Sequence, residues 1–166
     1  MTQVEFLQQA MAAALAGGHI WPGYAVCEAA EESNWGNSML AERANNLFGQ
    51  KYPSEPPAGF DYPSLVLPTH EYVGSQFVDA VAHWPIFPDW TAAFRERMAL
   101  LRRLSAYAPA LAATSGEEFI RLVSPVWATD PKRAANVLAI YAANQAQIVA
   151  ALTAAKAPQT PPPCAS

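Results

Sequence analysis

The chain has 166 residues, 52% of them apolar and only 14% charged, with a formal net charge of −4. That length suits one domain with a core of its own, and no apolar run is long enough to span a membrane. An acidic balance without a basic stripe interleaved with aromatics excludes nucleic acid as the natural partner.

Thr2-x-x-Glu5 is a capping-box signature and opens a helix that runs through the alanines to Gly17-Gly18. Phe6, Leu7, Met11 and Leu15 give it an apolar stripe. Pro22 suits the first turn of a second helix. This helix carries small residues at Ala25, Val26, Cys27, Ala29 and Ala30, yet also Glu28, Glu31 and Glu32. Glu28 and Glu32 share a face, and Glu31 points elsewhere. Gly36 is the expected stop. Asn37 is the expected cap of a short helix over 38–43, which Asn45-Asn46 ends.

From Tyr52 to Pro68 the chain is rich in Pro, Gly and aromatics, and reads as loop. Two strands follow, over 65–73 and 76–83, with a turn at Gly74-Ser75 and Pro68 marking the first as an edge. Asp89 caps a long helix to about Tyr107, with Trp90, Phe94, Met98, Leu101 and Leu104 at helical spacing. Arg95, Arg97, Arg102 and Arg103 on it read as a solvated face. Ser115-x-x-Glu118 starts another helix, expected to stop before Pro125. Asp130-Pro131 opens the last, to about Ala155. The class is α+β, predominantly α, with one small hairpin. Residues 1–156 form one domain and 157–166 a Pro-rich tail read as disordered. Cys27 reads as a small core residue and Cys164 lies in the tail, so no disulfide is expected. Without a Cys/His cluster, no metal site is expected either.

The chemistry-bearing stretch is Tyr24 to Gly49. A carboxyl at a helix end, walled by an indole, is a setting for a general acid, and Glu32 stands immediately before Ser33-Asn34-Trp35-Gly36. The run from Cys27 to Ser38, together with Ala44 to Gly49 (ANNLFG), resembles the signature of the glucosaminidase family of peptidoglycan hydrolases. Thr69-x-Glu71-Tyr72, the Phe87-to-Phe94 helix entry and Ala128-Thr129-Asp130-Pro131 follow in the family's order. The resemblance spans roughly residues 20 to 145.

The resemblance implies a lysozyme-like fold and cleavage of the N-acetylglucosaminyl-β-1,4-N-acetylmuramyl bond of bacterial peptidoglycan. It makes Glu32 the general acid, and Glu71 the second carboxylate, which positions water or stabilises positive charge. On its residues alone, Glu71 reads equally as an edge-strand charge. A helix-borne and a hairpin-borne carboxyl favour a wide gap and inversion of configuration. Trp35, Asn46, Tyr72 and Trp127 are the expected sugar contacts. Asn45 and Asn46 also read as helix-end caps, Trp90 as core, and Trp127 equally as a core residue. The sequence departs from the family at Glu31, usually apolar, and at Trp127, usually tyrosine, where an indole offers only an N–H.

Two other readings remain: a lytic transglycosylase or muramidase of the same fold, and a catalytically inactive wall-binding module. No cofactor is expected, and the state expected is a monomer. The N-terminus lacks a basic stretch followed by an apolar one, so no signal peptide is expected. That suits an interbacterial effector exported by a non-Sec route, or a phage endolysin released on lysis, acting in the periplasm or on the wall. An effector would require an immunity protein, for which the open cleft is the natural seat.

Overall fold

Thr2 accepts a hydrogen bond from the Glu5 N–H while the Glu5 carboxylate accepts from the Thr2 N–H, so the capping box forms and α1 runs Gln3–Ala16. The computed structural model describes residues 1–73 and 76–157, with 69–73 and 76–80 described as backbone only. The turn expected at Gly74-Ser75, the tail from Pro158 and Cys164 lie outside the described residues.

α2 (Pro22–Ser33) begins with its proline in the first turn, as expected, and is buried on nearly every side. It ends at Ser33 rather than at Gly36, because Asn34 takes the left-handed cap conformation at φ 49°. α3 (Met39–Ala44) is capped by Ser38, whose Oγ accepts from the Ala41 N–H. The cap expected at Asn37 is therefore displaced by one residue. Asn45, at φ 51°, closes α3 as expected.

β1 (Ser64–Val73) and β2 (Gln76–Pro85) form an antiparallel hairpin in which Glu71 lies opposite Val78. Its base is tied to the helical body: the Phe87 N–H donates to Ala44 O at 2.9 Å, and Asn45 Nδ2 donates to Phe87 O at 2.9 Å. The aromatic loop before it packs as a chain of edge-on rings, Tyr52–Phe60–Tyr62–Phe87, and Tyr62 donates to Glu96 at 2.9 Å.

α4 (Trp90–Arg103) starts on Asp89, whose carboxylate accepts from the Ala92 N–H. It stops four residues short of the expected end, because Leu104 is extended. A 3-10 turn over Ser105–Tyr107 and a single helical turn, α5 (Ala108–Leu111), follow. α6 (Gly116–Trp127) continues through Pro125, against the expected stop. That proline sits in the last turn, so it removes only one ladder bond, and the Ala128 N–H still reaches Ser124 O. The expected last helix is two, α7 (Arg133–Ala143) and α8 (Gln145–Lys156), bent by 75° at Asn144. At the break both the Asn144 N–H and its Nδ2 donate to Ile140 O, at 3.1 and 2.9 Å.

The core lies where α1 and α2 meet α4, α6, α7 and α8, filled by Phe6, Met11, Val26, Phe48, Phe94, Met98, Leu101, Phe119 and Ile120. Among the described residues no single helix is long and apolar enough to cross a membrane. The fold is α-rich with one small hairpin.

Candidate active site

The corner after α2 is built by Ser33. Its hydroxyl donates to Ala29 O at 2.5 Å and accepts from the Gly36 N–H at 2.8 Å, closing a turn in which Asn34, Trp35 and Gly36 all have positive φ. Gly36 is required twice over. Its φ is +77°, and a Cβ there would meet the Phe6 ring at 3.2 Å. Trp35, at φ 57°, holds a conformation unfavourable to a residue with a Cβ by about 1–2 kcal/mol. Its ring meets Phe6 edge-on at 5.8 Å, so it is braced by the core.

The three carboxylates of α2 take three different environments. Glu28 is fully buried. Glu31 accepts from Asn136 Nδ2 at 2.7 Å. Glu32, at the helix end, keeps 22% of its side chain exposed and accepts from Arg133 Nε at 2.6 Å through Oε1. A cation therefore stands at this carboxyl, while the Trp35 indole expected to wall it packs on Phe6.

Behind Glu32 lies a buried cluster of one anion, Glu28, and two cations, Arg97 and Arg133. Glu28 Oε1 accepts from Arg97 Nη2 at 2.6 Å and from Arg133 Nη2 at 2.9 Å. Arg133 Nη1 donates to Ser124 Oγ at 2.9 Å. The Arg97 guanidinium lies over two aromatic rings, 3.8 Å from the Trp127 ring centroid and 4.8 Å from that of Phe48. Burial alone would raise the Glu28 carboxyl, but Arg97 and Arg133 outweigh it and hold it below the usual carboxylate range. Burial works against the Arg133 charge, and the carboxylates of Glu28 and Glu32 more than compensate, strengthening its hold on the proton.

Arg97 thus corrects the solvated-face reading, since its side chain is completely buried. The signal was present: Arg97 falls between Phe94, Met98 and Leu101 on the apolar stripe of α4. Arg133 had no comparable signal, because its carboxylate partners Glu32 and Glu28 lie 101 and 105 positions away.

Trp127 covers Arg97 and lines a cavity of about 640 Å³ between the 49–55 loop, the end of α4 and Tyr107. Glu32 is not among the residues lining it. Asn46 is buried, its Nδ2 donating to Gln50 O and its Oδ1 accepting from the Gln50 N–H. Both ends of that amide are engaged with backbone. Trp90 is half-buried and packs against the core, its ring 5.3 Å from that of Phe6. The side chains of Glu71 and Tyr72 lie outside the described residues; their backbone places them on β1. Among the described residues no group of three His, Cys, Asp or Glu side chains could hold a metal ion.

Residues 8–152 match the glucosaminidase family model, described as mannosyl-glycoprotein endo-beta-N-acetylglucosaminidase. The chain belongs to the glucosaminidase family. Its relatives include the peptidoglycan hydrolase FlgJ of Pseudomonas aeruginosa, 32% identical over 141 residues, which cover 81% of this chain and 34% of that protein. The exo-glucosaminidase LytG of Bacillus subtilis is 54% identical over 33 residues, covering 20% of this chain and 12% of that protein. The chain therefore spans about a third or less of the length of the curated relatives it matches. Among solved structures, a peptidoglycan hydrolase mutant from Sphingomonas sp. A1 superposes with a TM-score of 0.71 at 23% identity, covering 89% of this chain and 99% of that one. The catalytic domain of the autolysin Auto from Listeria monocytogenes gives 0.71 at 24% identity, covering 89% and 86%. At those identities the likeness establishes the shared glucosaminidase fold. Within it, the charge cluster from Arg97 to Glu32 is what this chain's own residues build.

Proposed function

We propose that this glucosaminidase domain hydrolyses peptidoglycan glycan strands at the N-acetylglucosaminyl-β-1,4-N-acetylmuramyl bond, with Glu32 as general acid. The observation that carries the proposal is the division of labour among the α2 carboxylates. Glu28 is sealed in the core, Glu31 is turned to Asn136, and Glu32 stands at the motif corner with 22% of its side chain open to solvent. Cleaving a glycosidic bond requires a proton on the leaving oxygen and stabilisation of an oxocarbenium-like centre. In this reading Glu32 delivers the first. Glu71, on the hairpin beyond α3, is the second carboxylate in this reading.

Removing the transferable proton while keeping shape tests the assignment. Glu32→Gln should lower turnover of purified peptidoglycan by about 10²–10⁴-fold with an unchanged circular dichroism spectrum. Glu31→Gln should stay near wild type. A loss of less than about tenfold in Glu32→Gln would remove Glu32 from the acid role.

The proposal extends to the setting. The domain acts on the wall or in the periplasm as a monomer, as an interbacterial effector or a phage endolysin released on lysis. In the effector case an immunity protein would cover the corner at Glu32. A neighbouring reading frame for a secreted immunity-like protein supports the first setting and one for a holin the second. A neighbour of neither kind counts against both.

A further inference from the structure

We infer that Arg133 is a positioning residue, holding the Glu32 carboxylate by Oε1 so that Oε2 is the oxygen presented to substrate. The inference rests on Glu32 being the acid, and concerns how this chain aims it. The Arg133 guanidinium uses three separate nitrogens on three separate groups: Nε on Glu32 at 2.6 Å, Nη1 on Ser124 at 2.9 Å and Nη2 on Glu28 at 2.9 Å. Only 3% of its side chain is exposed. A planar fork bound at three points cannot swing without breaking two of them.

Its anchors are themselves fixed. Glu28 is locked by Arg97 Nη2 at 2.6 Å, and Ser124 lies buried on α6. The Arg133 backbone is set by the Asp130 turn, where Asp130 O accepts from the Arg133 N–H at 3.2 Å and Asp130 Oδ1 accepts from the Lys132 N–H at 2.9 Å. The orientation of Glu32 is therefore inherited from the core through Arg133. Glu32 Oε2 takes no hydrogen bond among the described residues. With Oε1 occupied by a donor, the proton to be delivered resides on Oε2. Proton transfer demands placement within a fraction of an ångström, and a misplacement of about 1 Å is worth about 10²-fold in rate.

Three variants test this, with kcat and KM measured on a defined chitooligosaccharide or muropeptide below each variant's unfolding temperature. Arg133→Ala should lower kcat by about 10²-fold and leave KM near wild type. Arg133→Lys keeps the charge, but three donors on a single nitrogen cannot span acceptors that the guanidinium meets with three separate nitrogens, so kcat should remain well below wild type. Ser124→Ala removes one anchor and no charge. It should fold whatever happens to the Arg133 variants, and lower kcat several-fold at unchanged KM. Wild-type kcat in Ser124→Ala and in any Arg133 variant that folds, with Glu32→Gln inactive, overturns the positioning role alone. A rise in KM at constant kcat also overturns it, since that marks a binding contact. Activity retained in Glu32→Gln would instead remove the acid assignment on which the inference stands.

Discussion

At the scale of single residues, the chain places charges where their neutral isosteres would pack more easily. Removing one partner of a buried ion pair typically costs about 3–5 kcal/mol, because the remaining charge is left uncompensated. Glu28, Arg97 and Arg133 are coupled in this way, so the site's rigidity and the core's stability share the same side chains. A second buried titratable group gives a stability signature. His19 makes T-shaped ring contacts with Phe94 and Phe119, and its Nδ1 accepts from the Trp21 N–H at 3.1 Å. Burial pushes the imidazole down to about 3, with Glu28 opposing and Arg97 and Arg102 adding to the fall. The unfolded chain takes up a proton near pH 6.5 while the folded one waits until about pH 3, so stability falls as pH drops between those values. The slope approaches ~1.4 kcal/mol per pH unit. Glu28 acts in a different window. Its carboxyl is depressed when folded, so its contribution is lost only on acidification through and below the ordinary carboxylate range. Urea unfolding between pH 6.5 and 4.5 should therefore show a falling free energy, and His19→Gln, which keeps an acceptor for Trp21, should flatten it. An equal slope in wild type and variant would contradict this origin.

At the scale of elements, the sequence was most legible where a side chain closes its own backbone. The capping box at Thr2 and the Asp89 cap rest on side-chain bonds spanning three residues, and the proline start of α2 and the left-handed stop at Asn45 rest on local backbone conformation. It was least legible where tertiary packing overrode local rules. α6 keeps its helical form past Pro125, and Asn144 splits a run that composition reads as one helix. Of the candidate site, the Glu32 corner was readable from Ser33 to Gly36, whereas the clamp from Arg133 joins residues 101 positions apart and leaves no local pattern. The hairpin carries the remaining chemical expectation. Glu71 stands on an element separate from α2, tied to the body through Ala44 and Asn45. A wide gap between carboxyl groups, about 6.5–9.5 Å, leaves room for water and gives inversion. Glu71→Gln should then lower kcat more than it changes KM, and NMR of the wild-type reaction should show the α-anomer first. A first-formed β-anomer would mean retention and would remove Glu71 as the water-activating base.

At the scale of the whole molecule, the fold sets a small, open corner against a rigid helical body. α2 runs through the centre with its small residues buried, delivering Glu32 to the end of the helix while Glu28 fastens that helix to α4 and α7 through Arg97 and Arg133. Trp127 closes the other side of the cluster and opens onto the cavity beside Tyr107. The reading that follows is a glucosaminidase domain whose acid is aimed by its own core. The bond it cuts is the central claim, and product analysis addresses that directly. Purified bacterial wall digested by the protein, reduced and examined by mass spectrometry should yield fragments ending in reduced N-acetylglucosamine. Fragments ending in anhydromuramic acid, or in reduced N-acetylmuramic acid, would contradict it and make the protein a lytic transglycosylase or a muramidase.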